Sequence, residues 1–345
     1  MMNQQNNKID VIIPCYNAHK TIFRCLCSLG SQTLKNELKI TLVNDCDGSD
    51  YSKYVELFKG VLDISILTLE KNGGPGMARQ FGISNTTNPL ITFIDADDTF
   101  TGPYALEVLR DALLEDKTHV AVFSSFLEER NSVFIEHQKD VVWMFGKLYK
   151  RDFINKYGIH FFDGLRCNED LAFNKQCQFF SNENEKIKAI NNTTYYWMET
   201  ESSITRANNH EYYYKDSYWS MLKAWTYSIN YALSKGANKE NIDKFIKDSI
   251  GTAYAYYIQI EERRPEFLEN AWQATVEYYW CIFKTVRNTI TYNEFCNAYE
   301  KAMKNAYNTN KLFGCMPKTS FREFVRKLDS EIEKIEVKEK TNGKE

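Results

Sequence analysis

No stretch of this chain approaches the ~18 consecutive apolar residues of a membrane-spanning helix. Met1 to Lys8 are polar and lack the apolar core of a secretion signal. A soluble, cytoplasmic protein is therefore expected, able at most to lie against a membrane surface. Net charge is nearly absent as well: 43 lysines and arginines against 46 acids leave −3, so no global field draws the chain to nucleic acid or anionic lipid. Cysteine offers no framework. The nine form an odd set, and only Cys25 and Cys27 lie close together, at a spacing that matches neither a zinc site nor a redox pair. Reduced thiols serving as small hydrophobes are expected instead. With only six prolines beside 22 tyrosines and 22 phenylalanines, wholesale disorder is excluded. The 345 residues, 43% hydrophobic, are ample for a large aromatic core in two domains, or in one domain with a long appendage.

From Ile9 to about Phe100 short β-like runs alternate with helical stretches, the pattern of a parallel α/β sheet. Asp10 to Pro14, Leu38 to Val43, Asp63 to Leu69 and Leu90 to Ile94 read as strands; Lys20 to Ser31, Ser52 to Phe58 and Gly76 to Asn85 read as helices. In the first helix Ile22, Phe23, Leu26 and Leu29 stand at core spacing. Open α/β sheets bind ligands outside the carboxyl ends of their strands, so Tyr16, Asn17, Asp45 and Asp95 are expected to meet in one crevice. Tyr104 to Glu115 follows as a helix, His119 to Phe126 as a strand, and Glu128 to Glu136 as a hairpin or loop. Beyond about His210 the pattern changes to long helical runs, Glu211–Leu233, Asn241–Glu262, Pro265–Asn288 and Tyr292–Tyr307. The expected division is residues 1–210, 211–328 and a charged tail at 329–345.

Two features carry chemistry. Phe93-Ile94-Asp95-Ala96-Asp97-Asp98 is an apolar strand breaking into clustered carboxylates, which repel one another unless something positive lies among them. Hard divalent cations take oxygen ligands, and magnesium binds through one or two carboxylates plus substrate phosphates. Asp98 alone reads equally as the cap of a following helix. Asn72-Gly73-Gly74-Pro75-Gly76-Met77-Ala78-Arg79 is a glycine loop entering a helix with a cation on its first turn. It is neither a P-loop nor a dinucleotide fingerprint, yet exposed N–H groups with Arg79 suit a diphosphate or a nucleotide edge.

The ordered set Val11-Ile12-Ile13-Pro14-Cys15-Tyr16-Asn17, Val43-Asn44-Asp45, Asn72-Gly73-Gly74-Pro75-Gly76 with Ala78-Arg79, Ile94-Asp95-Ala96-Asp97-Asp98 and Asn168-Glu169-Asp170 resembles the family 2 glycosyltransferases. The resemblance covers roughly residues 8 to 205. It implies the GT-A fold, an α/β architecture with a mixed, mainly parallel sheet flanked by helices, followed here by an all-helical C-terminal region. It also implies inversion at the anomeric carbon. Carried over by position, it places Pro14, Tyr16 and Asn17 around the nucleotide, Asp45 on the base or ribose, and Arg79 nearby. Asp95 would meet the ribose or donor sugar and, with Asp97, the metal, Mn2+ or Mg2+, that bridges the diphosphate. Asp170 is the implied general base, with Glu169 orienting the acceptor. Asn44-Asp45-Cys46-Asp47-Gly48-Ser49-Asp50 departs from the usual second motif by carrying extra residues, which leaves Asp47 and Asp50 without an implied role.

Trp143 and Lys147, in an aromatic and cationic stretch with a Gly-Lys-Leu-Tyr run, resemble the acceptor side of the cleft. Tyr195-Tyr196-Trp197 and Ser202 to Arg206 resemble the loop that closes over the donor, with Arg206 as a diphosphate partner. The implied reaction moves a sugar from a nucleoside-diphosphate sugar, UDP-linked by expectation, to a hydroxyl of a surface glycan or lipid-linked glycan. One alternative is a phage-type transferase acting on hydroxymethylated pyrimidines of DNA. It draws on Lys301, Lys304, Lys311, Lys318, Arg322, Arg326 and Lys327, which give segment 301–327 a local positive excess for DNA or a membrane surface. An alternative of another class is a GT-A module that binds a nucleotide or sugar without catalysis.

Overall fold

The computed structural model describes residues 7–165, 167–200, 217–289, 291, 293–297, 300, 303–304 and 318–342. The chain divides into two compact units, Met1–Ala207 and Asn208–Glu345. In the first, a nine-stranded sheet has the order β3-β2-β1-β4-β8-β6-β9-β5, with β7 paired to β6. Its parallel half is β1 (Ile9–Cys15), β2 (Leu38–Asn44), β3 (Asp63–Thr68) and β4 (Leu90–Phe93). β1 is flanked by β2 and β4, both parallel to it, and Ile9, Val11, Ile12 and Ile13 are fully buried. That near-continuous apolar run is what a strand covered on both faces requires. Asp10, buried in its midst, accepts from Arg151 Nη2 at 2.7 Å and from the Asn88 backbone N–H at 2.7 Å, which satisfies the charge and ties the start of α5 (Arg151–Tyr157) to β1.

Helix α1 (Ile22–Gly30) buries Ile22, Cys25, Leu26 and Leu29. Phe23, expected in the core, is instead 50% exposed: counting from Ile22, the inward positions are i, i+3, i+4 and i+7, and Cys25 occupies the place assigned to the phenylalanine. α2 (Ser52–Leu57), α3 (Gly74–Ser84) and α4 (Ala105–Leu114) complete the crossovers.

The second half of the sheet is where sequence periodicity was weakest. β5 (Thr99–Phe100) pairs with β9 (Lys186–Trp197), and β8 (Lys147–Lys150) inserts antiparallel between β4 and β6 (His119–Arg130). β6 runs past Phe126 to form a hairpin with β7 (Val133–His137) and is parallel to β9. Tyr195, Tyr196 and Trp197, expected in a loop over the donor, are the last residues of β9, with the Tyr195 side chain fully buried. The Gly-Lys-Leu-Tyr run is likewise sheet interior. α6 (Glu169–Phe180) precedes β9 and buries most of its length.

The second unit contains the helices Tyr218–Ser234, Lys239–Arg263, Leu268–Thr289 and Phe321–Asn342. Tyr278 and Ser249 share a buried hydroxyl–hydroxyl hydrogen bond of 2.5 Å. The charged stretch from Asp329 continues the helix Phe321–Asn342, in which Leu328 and Ile332 are fully buried. Of the expected helix over Tyr292–Tyr307, the described positions 293–297, 300, 303 and 304 are all helical, and the rest lie outside the described residues. Among the described residues no helix is long and apolar enough to cross a membrane.

Candidate active site

The carboxylates after β4 separate by environment. Asp98 is fully buried, accepting 2.7 Å from Tyr195 Oη–H and 2.8 Å from the Met198 N–H. Burial, with Asp97 and Asp95 close by, raises its pKa far above the usual carboxylate range. It is neither a helix cap nor a solvated turn but the post that ties this loop to β9, because Tyr195 Oη also accepts the Asp95 N–H at 3.1 Å. Asp95 and Asp97 remain partly exposed, and Asp95 is 28% exposed in its side chain. Asp97 accepts from Thr200 Oγ1 at 3.1 Å on Oδ2, and its backbone carbonyl accepts from Arg24 at 2.5 Å. One loop thus turns one acid inward as an anchor and leaves two partly exposed.

Arg79, on α3, joins that loop to the distant Asn168-Glu169-Asp170 motif. Its Nη2 lies 2.5 Å from Asp95 Oδ1, its Nη1 lies 2.8 Å from Glu169 Oε1, and the side chain is only 4% exposed. Burial opposes the guanidinium charge, but Asp95 and Glu169 more than offset it and raise its pKa further. Nε is buried with no hydrogen-bond partner. Arg79 is thus the buried cation that lets acids from two motifs coexist. Gly76 makes the approach possible, since a Cβ there would stand 2.8 Å from Glu169 Cγ.

Asn168 caps α6 in the left-handed region (φ 60°), which tilts both following acids inward. Glu169 and Asp170 are 7% and 8% exposed. Burial, then the neighbouring Glu169 charge, pushes the Asp170 carboxyl up to about 8, while the Leu171 N–H donates to its Oδ1 at 2.7 Å. A carboxyl held near neutrality with its second oxygen uncommitted to that bond has the property a proton acceptor requires.

At the end of β2, Asp45 spends both oxygens on the glycine loop. Oδ1 accepts from the Gly73 N–H at 2.7 Å, and Oδ2 accepts from the Gly74 N–H at 2.8 Å and from Asn72 Nδ2 at 3.1 Å. Gly74 has φ 81°, a conformation that side chains rarely adopt. Asp47, left unassigned by sequence, accepts from the Asn17 N–H at 2.5 Å, the Ser49 N–H at 2.7 Å and Tyr51 Oη–H at 2.8 Å. Burial opposes them, yet these bonds hold its carboxyl below the usual range. It thereby fixes the loop carrying Tyr16, which is 57% exposed beside Asn17 in the left-handed region and Pro14 half-buried.

On the other side, Trp143 is half-buried, stacked parallel on Phe145 at 5.8 Å and against Trp197 at 5.1 Å. Lys147, expected to face the acceptor, is fully buried: Nζ lies 3.4 Å from Asp140 and 3.3 Å from the Phe145 carbonyl, above the Phe123 ring. It serves packing of β8, and burial pulls its pKa down to about 8. Arg206 lies outside the described residues. Sequence reading missed Thr200, Arg24 and Asn174, the last of which accepts from Tyr149 Oη–H at 2.6 Å and donates to the Val142 and Trp143 carbonyls. Only their distance along the chain concealed them.

Among the described residues, no group of three or more His, Cys, Asp or Glu is arranged to enclose a metal. The two partly exposed carboxylates, Asp95 and Asp97, nevertheless fit a hard cation that takes its remaining oxygens from a diphosphate and water.

The description "Glycosyl transferase family 2" matches residues 10–167. Over 208 residues the chain is 27% identical to the poly(ribitol-phosphate) beta-N-acetylglucosaminyltransferase TarS of Staphylococcus aureus, an alignment covering 55% of this chain and 35% of TarS. It is 28% identical over 216 residues to the glycosyltransferase GlyA of Streptococcus pneumoniae, covering 55% of this chain and 30% of GlyA. The chain thus spans about a third of the length of these curated relatives. In three dimensions it resembles S. aureus TarS 1-349 solved with UDP-GlcNAc, with TM-score 0.63, 18% identity, and coverage of 88% of this chain and 92% of that one. The mannosyltransferase PcManGT of Pyrobaculum calidifontis, solved with GDP-Man and Mn2+, matches with TM-score 0.51 and 12% identity over 87% of this chain and 80% of that one. The fold is of the GT-A type.

Proposed function

We propose, from the premise that the chain belongs to glycosyl transferase family 2 through residues 10–167, that it transfers a sugar with inversion from a UDP-sugar to a hydroxyl of a glycan. The observation that carries this reading is the buried Arg79 bridge from Asp95 to Glu169, which brings the donor-side acids and a proton acceptor into one electrostatic unit. UDP as the donor nucleotide draws support from the TarS complexes with UDP-GlcNAc and UDP.

Inversion requires one displacement at the anomeric carbon. The acceptor oxygen forms the new bond as the glycosidic bond to the diphosphate breaks, and no enzyme nucleophile intervenes. Asp170 takes the acceptor proton, and its raised pKa matches the task near neutral pH. Glu169, fixed by Arg79, orients the acceptor and keeps a second negative charge beside Asp170, which strengthens the base. Tyr16 and Asn17 line the nucleotide side. Asp97 and Asp95 would hold a divalent cation, Mn2+ or Mg2+, which would supply charge neutralisation for the departing nucleotide. Trp143 offers a half-buried aromatic face toward the acceptor.

The test is thermal denaturation and donor hydrolysis with a panel of nucleotide sugars, with and without Mn2+. A UDP-sugar that raises the melting temperature and is hydrolysed only with metal is the expected result. Stabilisation without any turnover, in the presence of candidate glycans, would instead mark a binding module.

A further inference from the structure

The helical unit contains an open cleft of about 520 Å³ lined by Tyr257, Trp272, Glu269, Lys327, Ser330 and Glu331 among others. All of these residues belong to the unit Asn208–Glu345, and none of them is among the acids described above. We propose that this cleft is a saccharide-binding site, taking a neutral oligosaccharide through the Trp272 and Tyr257 rings, the Tyr257 hydroxyl and the flanking carboxylates.

Three observations carry it. The volume falls within the ~300–1,000 Å³ range of small-molecule sites. Trp272 is half-buried and packed edge-on against Tyr257 at 5.7 Å and Phe324 at 5.7 Å, so its ring is held rigid while part of it faces the cleft. A rigid aromatic surface offers the apolar C–H face of a pyranose a contact that costs little side-chain entropy. Tyr257 is only 6% exposed and lines the cleft beside Trp272. Its phenolic hydroxyl both donates and accepts, which suits it to a sugar hydroxyl.

The charges select the ligand class. Glu269 and Glu331 are carboxylates that accept hydrogen bonds from sugar hydroxyls, and they outnumber the one lining cation, Lys327. Lys327 is itself 3.6 Å from Glu323, and Glu331 accepts from Lys334 at 2.8 Å. An anionic ligand would therefore meet net repulsion. A small quaternary ammonium would suit the aromatics and acids, but would leave most of the cleft unfilled and Lys327 opposing it.

The experiment is calorimetric titration of the full chain with cellotriose and chitotriose, with inorganic phosphate and choline as contrasting probes. The expected result is binding of one trisaccharide, weakened about fivefold by Tyr257→Phe and about tenfold or more by Trp272→Ala. Tyr257→Phe removes only the hydroxyl, so its melting temperature should match the parent and any lost binding then reports the ligand. The proposal is overturned by no heat from either trisaccharide at about 10 mM, by a Tyr257→Phe variant that binds as well as the parent, or by binding of phosphate or choline alone. Because the readout is saccharide binding that the variants assign to Tyr257 and Trp272, its failure leaves the transfer reaction untouched, and failure of the transfer reaction leaves this readout intact.

Discussion

At the scale of single residues, the same burial that suits Asp170 to the proposed role of base also makes it a liability to the fold. Its carboxyl is pushed up to about 8, so the folded state holds a proton that the unfolded chain releases near 4. Between those values the folded state binds more protons, so this group's contribution to stability is complete in acid and is lost as pH rises through about 8. Transfer needs the opposite form, the carboxylate, and kcat/KM should climb with pH toward the same midpoint. Asp170→Asn is expected to lower turnover by about 10²-fold or more, while raising the melting temperature most at alkaline pH. A pH–rate profile and a parallel melting series check both; a variant that melts lower at pH 9 would refute the linkage. Asp97 gives a second prediction. Asp97→Asn should cost about 10²-fold in turnover and weaken the response to added Mn2+, measured after chelation and metal restoration. Unchanged metal dependence would remove Asp97 from the proposed cation site.

What the sequence made legible at this scale was which acids stand at strand ends. Asp45, Asp95 and Asp170 follow apolar runs or open a helix, and topology then gathers them. Their commitments were not legible. Asp45 gives no sign in sequence that its oxygens bond Gly73 and Gly74, and Asp98 looks like a solvated turn until Tyr195, nearly a hundred positions away, donates to it. Hydrogen bonds between residues so far apart leave no periodic trace.

At the scale of elements, the site depends on how closely α3 approaches α6, and Gly76 sets that distance. A methyl group there would stand 2.8 Å from Glu169 Cγ and 3.0 Å from its Cβ, so helix or acid must shift. Gly76→Ala should destabilise the chain by about 1–3 kcal/mol through overpacking and reduce turnover beyond what the stability loss explains, since Glu169 would leave Arg79. Denaturant unfolding beside initial rates separates the two effects. Arg79→Met is the harsher test. It leaves Asp95 and Glu169 without their shared cation, at an expected cost of about 3–5 kcal/mol, readable as a fall in the unfolding midpoint. The parallel strands β1 to β4 were legible because β-branched runs buried on both faces announce themselves. β9 was not: Asn191-Asn192 interrupts the run, its register with β6 shifts at irregularities, and a strand so broken carries no clean alternation. β8 is four residues long and begins with a buried lysine, the reverse of a strand signature.

At the scale of the whole molecule, charge decides among acceptors. The positive excess of segment 301–327 is the sole sequence feature that points toward DNA, and its strength depends on the cations standing free. Where described, several do not: Arg322 lies 2.9 Å from Glu300 and bonds Asn297, and Lys327 lies 3.6 Å from Glu323. The helix Phe321–Asn342 carries six cations and six acids, so it presents no net charge to a phosphate backbone. A protein contacting 6–10 phosphates would lose roughly 10³–10⁵ in affinity between 50 and 200 mM salt through counterion release. This chain, at net −3, should show neither tight duplex binding at low salt nor that slope. Fluorescence anisotropy of a labelled duplex across that salt range reads both quantities at once. A steep slope with sub-micromolar affinity at low salt would return DNA to the front as acceptor; flat, weak binding leaves a glycan hydroxyl, whose recognition needs aromatic faces and carboxylates rather than a basic groove.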